Sequence, residues 1–228
     1  KNEILVNNKK ITEENVFNQL YQKPNSKLIG YRLRLNLYNL ANLKPDSTYQ
    51  AKFTNNPKKY VQMSKWLSAK QVDRLGKSFW YKGIHDFLKS TGEPPVIIDN
   101  AKTDKSILRL RYYYFNNGFF NVKATYKVDS LKAKKAKINY VITTGEPYFL
   151  DSLNTTISTP ILDSLYAIEK NNSFIKSGKQ YKTEDFENEK NRITTHFRNN
   201  GVYFFQPNYV NFDIDKKKKI NKANVNLI

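Results

Sequence analysis

The sequence predicts an α+β protein: two consecutive domains on one β-α-α-β-β plan, the first enlarged by a helical insertion. Two observations carry that prediction. Residues 115–120 read Phe-Asn-Asn-Gly-Phe-Phe, and the device returns as Arg-Asn-Asn-Gly-Val-Tyr at residues 198–203. At both places an apolar stripe with helical spacing runs into two asparagines and a glycine, and an alternating aromatic and β-branched run follows. Glycine just past the last helical residue fits a left-handed C-terminal cap, because it has no Cβ to clash at positive φ. Gly118 and Gly201 are therefore backbone devices first and markers of a repeat second.

Taken in order, Leu5, Val6 and Ile11 around an Asn-Asn-Lys-Lys turn predict a short opening strand. Thr12 is the expected cap of a helix carrying Val16, Phe17, Leu20 and Tyr21, with Pro24 just beyond it. Between about 27 and 95 the character changes. Leu33, Leu35 and Leu37 alternate as in a strand, while Leu33, Leu37, Leu40 and Ala41 fit a helix, and both readings stand. Residues 68–71, Ser-Ala-Lys-Gln, have capping-box spacing before a helix with Val72 and Leu75, and Phe79, Trp80, Ile84, Phe87 and Leu88 mark another. Trp66 and Trp80 both fall here, and that aromatic density predicts a packed subdomain.

Pro94 and Pro95 form a rigid break before Val96, Ile97 and Ile98. Thr103 is the expected cap of the next helix, with Ile107, Leu108, Leu110, Tyr114 and Phe115. Past Gly118, the residues Val122, Ala124, Tyr126 and Val128 share one strand face, and a lysine-rich turn leads back through Ile138, Tyr140 and Ile142 as an antiparallel hairpin. The second domain repeats this without an insertion. Leu150, Leu153 and Ile157 open it, and Thr159 and Pro160 start a helix with Ile161, Leu162, Leu165 and Ile168 on one face. Thr183 caps a helix bearing Phe186, Ile193 and Phe197, a strand is expected over residues 203–214, and Ala223, Val225 and Leu227 complete the hairpin. Thr183 and Gly201 lie further apart than Thr103 and Gly118, so this helix is expected to be one turn longer. The expected boundaries are 1–144, with the insertion at about 27–95, and 145–228.

A net charge of +19 first suggests nucleic acid. The lysines gather in turns, however, at Lys132, Lys134, Lys135 and Lys137 and again at 216–219, where they read as solvated loop tips that blunt strand edges. No nucleic-acid partner is therefore expected, and contact with an anionic membrane surface is the stronger use of the charge. The chain has no cysteine, which excludes disulfides, thiolate metal sites and cysteine nucleophiles. His85 and His196 have no partner at ligand spacing, the eight glycines form no phosphate-binding loop, and Glu184, Asp185, Glu187 and Glu189 suit the first turns of a helix. No catalysis, cofactor or metal is expected. Nor is there a run of ~18 apolar residues, so no spanning helix is expected. The sequence begins without methionine and reads as a piece of a longer protein.

A β-α-α-β-β unit whose second helix closes on Tyr/Phe-x-x-x-Gly-aromatic resembles the POTRA domain, the polypeptide-transport-associated module of the BamA/TamA superfamily of outer-membrane assembly proteins. Tyr114, Gly118, Phe119 and Phe120 carry the resemblance in the first domain, and Phe197, Gly201 and Tyr203 carry it in the second. Residues 143–148, Thr-Thr-Gly-Glu-Pro-Tyr, are similar to the joint between successive POTRA domains. Leu-Tyr-Asn-Leu at 37–40 and Gly-Glu-Pro-Pro-Val at 92–96 resemble the enlarged first domain of the lipid-anchored TamA-like (TamL) proteins of Bacteroidetes.

The resemblance implies, for each domain, a three-stranded mixed sheet with two helices on one face. It also implies a place on the periplasmic side of the outer membrane, further POTRA domains, and a β-barrel downstream in the same chain. Unfolded outer-membrane protein precursors and periplasmic or inner-membrane assembly partners are the implied partners. The first strand of each C-terminal hairpin is then a sheet edge to which an extended segment can add. The candidate partner-binding residues are Asn121, Val122, Lys123, Ala124, Thr125, Tyr126, Lys127 and Val128, with Tyr203, Phe204 and Phe205 in the second domain. Pro207 suits an edge or bulge there. A structural spacer or docking module is the alternative expectation, and a basic nucleic-acid-binding module the less favoured one.

Overall fold

The computed structural model describes residues 1–131, 135–217 and 221–228, so Lys132 and Lys134 of the first lysine turn and Lys218 and Lys219 of the second lie outside the described residues. The chain divides into two compact units: Lys1–Gln22 with Asp99–Ile228, and Lys23–Ile98.

The first unit opens with two strands where one was expected. β1 (Asn2–Val6) turns back as β2 (Lys9–Ile11) through Asn7 and Asn8, whose φ values of 48° and 65° lie in the left-handed region that asparagine tolerates. The helix that follows, α1 (Glu14–Phe17), is a single turn. Its cap position is Glu13 rather than Thr12, and Val16 and Leu20 are its buried contacts while Tyr21 is exposed.

The second unit is helical. It comprises α2 (Leu33–Leu40), α3 (Pro45–Thr54), α4 (Pro57–Ser64), α5 (Ala69–Gly76), a π-turn over Phe79–Gly83 and α6 (Ile84–Thr91). The ambiguous leucines thus form a helix. The capping box forms as well: Ser68 Oγ accepts from Gln71 N, and the Gln71 side chain accepts from Ser68 N. Packing centres on Tyr49. Its ring meets Phe53 and Tyr81 edge-on at 5.1 and 5.0 Å, and its hydroxyl donates to Val72 O at 2.8 Å. A Cβ on Gly76 would lie 2.5 Å from that ring, so α5 can approach only as glycine. Asn25 donates to Pro94 O and accepts from Val96 N, and Ser26 donates twice to Glu93, so the proline break is where the two ends of the unit are tied. Trp66 and Trp80, which helped to predict a packed subdomain, are 89% and 77% exposed. The density of rings was read correctly, but a tyrosine-centred cluster takes the interior and the indoles stay outside.

The first unit resumes with α7 (Asn100–Asn116), β3 (Lys123–Leu131), β4 (Lys135–Thr143), β5 (Phe149–Thr155), α8 (Pro160–Glu169), α9 (Thr183–Asn199), β6 (Phe212–Lys217) and β7 (Lys222–Leu227). Two sheets result, ordered β2-β1-β4-β3 and β5-β7-β6. In each, the opening strand lies parallel to the last strand, and the last strand is antiparallel to the one before it. The β-α-α-β-β plan is therefore present twice with one topology. The first sheet has four strands rather than the expected three because the asparagine turn adds β2.

Apolar residues on alternate positions face the helices. Ile4, Ile138, Tyr140 and Ile142 are buried, as are Leu110 and Tyr114 of α7. In the second domain Tyr166, Ile193, Phe197, Phe205, Val210 and Leu227 form one core cluster, and Leu150, Ile175, Tyr181, Phe186 and Val225 form another. Outside β5, Leu150 N donates to Lys179 O and Gly178 N donates to Leu150 O, so a local loop occupies the outer backbone of that strand.

Several helix expectations are corrected. The side chain of Asp99 caps α7 by accepting from Lys102 N, while Thr103 is fully buried one turn in and donates to Asp99 O. The earlier start makes α7 and α9 equal at 17 residues, so the extra turn expected of α9 is absent. Thr183 is the first residue of α9 and Lys182 holds its cap position. On α8, Ile161 and Ile168 are exposed and Tyr166 is buried, with Leu162 and Leu165 packed on the same cluster. Among the described residues no helix is long and apolar enough to cross a membrane.

Candidate functional site

β3 is the outer strand of the first sheet. Its inner edge is paired with β4 from Lys123↔Thr143 to Leu131↔Lys135. Alternate backbone N–H and C=O groups on its other edge face away from the sheet and meet no strand among the described residues. At about 3.3 Å per residue its nine residues offer roughly 30 Å of edge. β1 reaches only as far as Ile138 on β4, so the part of the hairpin beyond Val128 projects past the third strand.

Ala124 and Tyr126 turn toward α7 and are half-buried, whereas Lys123, Thr125 and Lys127 are exposed. Burial, and then the neighbouring Asp104, push the Tyr126 hydroxyl above its ordinary value. On the sheet face away from α7, Glu3 pairs with Lys137 at 2.5 Å, and the hydrogen bond from that ammonium holds its carboxyl below the usual range. Asn139 donates across the hairpin to Asp129. These bonds stay within the sheet. Two of the predicted residues fall outside the strand: Asn121 lies in an exposed turn and Val122 is buried just before β3 begins.

The second edge is displaced further. Val122 and Phe205 play the same part, each donating its N–H three residues back, to Phe119 O and to Val202 O, and they are 83 positions apart. Ala124 and Phe212 also occupy matching places, opposite Ile142 and Leu227, but are 88 apart, so five extra residues stand between the glycine and the strand. They form a short helical turn at Pro207–Tyr209 and bury Val210. Tyr203, Phe204 and Phe205 are therefore not in a strand. Tyr203 and Phe204 are 75% and 91% exposed, Phe205 is buried, and the second edge is β6, six residues long.

The first Asn-Asn-Gly device also makes a joint between the two sheets. Gly118 has φ +88°, and an added Cβ would lie 2.8 Å from Tyr181 O. Gly118 O accepts from Tyr148 N at 3.0 Å, Asn117 O accepts from Gln180 Nε2 at 2.7 Å, and Thr183 Oγ1 lies 3.3 Å from Asn116 Oδ1. Phe120 packs edge-on against Tyr148 and Tyr181 at 5.0 and 4.9 Å, and Lys216 Nζ lies 4.8 Å from the centre of its ring. Tyr148 was legible as the aromatic ending the Gly-Glu-Pro-Tyr stretch. Gln180 and Tyr181 gave no signal, because they act from a loop with no periodicity.

The histidines do ordinary structural work. His85 Nδ1 accepts from Asn42 N, and His196 Nε2 sits 3.0 Å from Leu165 O. Glu189, fully buried, receives both arms of Arg192 at 2.7 and 3.0 Å and also Phe174 N at 3.0 Å, while Arg192 donates to Glu169 O. That network ties the crossover after α8 to α9. Ionic pairing inside one helix is invisible to a reading of apolar periods.

Tyr114 and Tyr166 have hydroxyls pushed up to about 12, chiefly by burial, with Glu13 adding to the first and Glu189 to the second. An unfolded chain releases a tyrosine proton near pH 10. The folded state keeps both protons longer, so the stability they contribute is complete below about pH 10 and is lost as pH rises toward 12. The thermal midpoint is expected to fall through that window. Tyr166→Phe should flatten the fall, since the hydroxyl it removes has no hydrogen-bond partner among the described residues. An identical alkaline slope in the variant would refute this.

No protein-family model matches the chain, and no curated protein matches it. Among solved structures it is similar to POTRA domains 3–5 of BamA from Haemophilus influenzae, with 17% identity and a TM-score of 0.36 over 59% of this chain and 55% of that one. It is similar also to BamA from Haemophilus ducreyi lacking POTRA domains 1–3 (8% identity, TM-score 0.36, 60% of this chain and 24% of that one). A third is POTRA domains 1–2 of the periplasmic domain of Omp85 from Anabaena (10% identity, TM-score 0.30, 59% of this chain and 76% of that one). The chain spans about half the length of the first of these.

Proposed function

We propose that the chain is the periplasmic POTRA region of an outer-membrane protein assembly or translocation factor. In this reading residues 1–144 and 145–228 are two modules that bind precursor proteins or partner subunits by strand addition and hold them in a fixed register. The observation that carries the reading is the repeated β-α-α-β-β topology, which leaves β3 as an open edge beside a closing motif of Tyr114, Gly118, Phe119 and Phe120. Backbone pairing selects for extended conformation rather than for side-chain identity, which suits many unfolded clients. The insertion favours a lipid-anchored TamA-like protein within that class. Neither a nucleic-acid partner nor a reaction is part of the proposal.

Thr125 is exposed in the first half of β3 and tests the edge directly. A photo-crosslinking residue there is expected to capture a precursor or partner in cells. No capture, from a protein that remains folded, would remove strand addition from the proposal.

A further inference from the structure

Residues 28–31 close a two-residue hairpin turn in the helical unit. Leu28 N donates to Tyr31 O at 2.8 Å and Tyr31 N donates to Leu28 O at 3.0 Å, which leaves Ile29 and Gly30 as the loop. Both have positive φ, +49° and +82°. A turn with positive φ at both central residues ordinarily takes asparagine, aspartate or glycine there. A β-branched side chain is the poorest choice, because its second branch crowds the backbone in the left-handed region. No packing inside the fold offsets that strain: Ile29 is 91% exposed, and Leu28 and Tyr31 beside it are 62% and 77% exposed. A Cβ added to Gly30 would meet nothing within 4 Å. Strain held at an exposed apolar tip points to something outside the chain that the tip meets.

The turn is fixed at its base. Asn25 donates to Pro94 O, and Ser26 donates to Glu93 through both N and Oγ. On the other side Arg34 donates to Thr91 O, and Arg34 O accepts from Glu93 N. Glu93 is the carboxylate these bonds bring to the turn, and the Ser26 hydroxyl holds it below its usual range. Residues 15–45 contain no aspartate or glutamate, and their charges are Lys23, Lys27, Arg32, Arg34 and Lys44. Leu33 and Leu40, seven positions apart and so on one side of α2, are also exposed.

We propose that the turn at residues 28–31 is a membrane finger, which enters the headgroup boundary of a bilayer containing anionic phospholipid with Ile29 deepest. The occupant follows from the layering of the chemistry. Apolar side chains stand at the tip, a tyrosine comes next, and Lys27 and Arg32 flank them, the order found from hydrocarbon through headgroups to water. A tip two residues wide offers too little area to hold a folded partner, whereas a bilayer requires only side chains that reach its hydrocarbon. The finger is remote in sequence from the lysine turns, and it adds insertion at a defined place to an attraction that charge alone leaves without one. It depends neither on strand addition at β3 nor on the two-module reading, so each can fail alone.

The test uses the whole chain with vesicles of phosphatidylglycerol and phosphatidylethanolamine, and with phosphatidylcholine vesicles as the uncharged comparison. Ile29→Asn is the deciding variant, because asparagine suits positive φ while removing the apolar tip. It is expected to keep or raise the melting temperature and to weaken co-sedimentation with the anionic vesicles by about tenfold. Lys27→Gln with Arg32→Gln should weaken it by about twentyfold. Depth is read from Ile29→Cys, which gives the cysteine-free chain one thiol for an environment-sensitive dye. On anionic vesicles its emission should shift to the blue and brighten severalfold, and nitroxide lipids labelled near the headgroup should quench it more than those labelled at the acyl terminus.

The proposal is overturned if Ile29→Asn binds the anionic vesicles as tightly as the parent chain, or if it melts well below the parent, which would make Ile29 a structural residue. It is overturned equally if phosphatidylcholine vesicles bind as well as anionic ones, or if the dye stays in water. A blue shift that grows with protein concentration and needs no lipid would give the tip a second copy of the chain as its occupant, and would end the proposal.

Discussion

Gly118→Ala is expected to destabilise the protein by about 3 kcal/mol or more, while Gly201→Ala costs only about 1 kcal/mol. Both glycines lie at positive φ, so both variants carry the strain of placing an L side chain in the left-handed region. Only Gly118 faces a wall. Its added methyl would sit 2.8 Å from Tyr181 O and 3.3 Å from Tyr148 O, and neither backbone oxygen can swing aside. Relief requires the joint to open, which exposes Phe120 and breaks the bonds to Asn117 O and Gly118 O. Urea unfolding midpoints at unchanged slope give the comparison. Equal losses at the two glycines would mean that the joint contributes nothing.

Arg192→Ala is expected to cost roughly 3–5 kcal/mol, the range for stranding one member of a buried ion pair. Glu189 is fully buried and would keep only the Phe174 N–H as a partner. Arg192→Lys should recover little, because an ammonium cannot supply two arms to the carboxylate and a third bond to Glu169 O. The double change Glu189→Leu, Arg192→Met removes both charges and should be milder than Arg192→Ala alone. Calorimetric midpoints of the three variants decide the order, and a double variant less stable than Arg192→Ala would refute the account.

The parts of this fold that were legible in the sequence are those with a period or a required glycine. Ile138, Tyr140 and Ile142 alternate and lie buried on β4, and Phe186, Ile193 and Phe197 form one buried face of α9. The capping box at Ser68 was legible because its two hydrogen bonds need only residues three apart. What failed did so for identifiable reasons. Thr103 and Asp99 are both good caps, and α7 took the earlier one. The strand after Gly201 was placed too early because five inserted residues restart the chain as a turn, and Tyr203, Phe204 and Phe205 have the composition of a strand without its pairing. The strand at residues 123–128 was legible from alternation, while its place at a sheet edge was expected only from the family resemblance; Gln180 and Tyr181, which meet Asn117 and Phe120, gave no signal because they come from a loop far away in sequence.

The small hairpin at the N-terminus sets a valence. β2 pairs with the outer backbone of β1 over three residues, and residues 178–180 meet β5 only at Phe149 and Leu150. β3 and β6 are the outer strands on the opposite side of each sheet. If strand addition holds, the three-residue β2 is a far shorter landing than the nine-residue β3, so an extended guest is directed to one side of the first sheet.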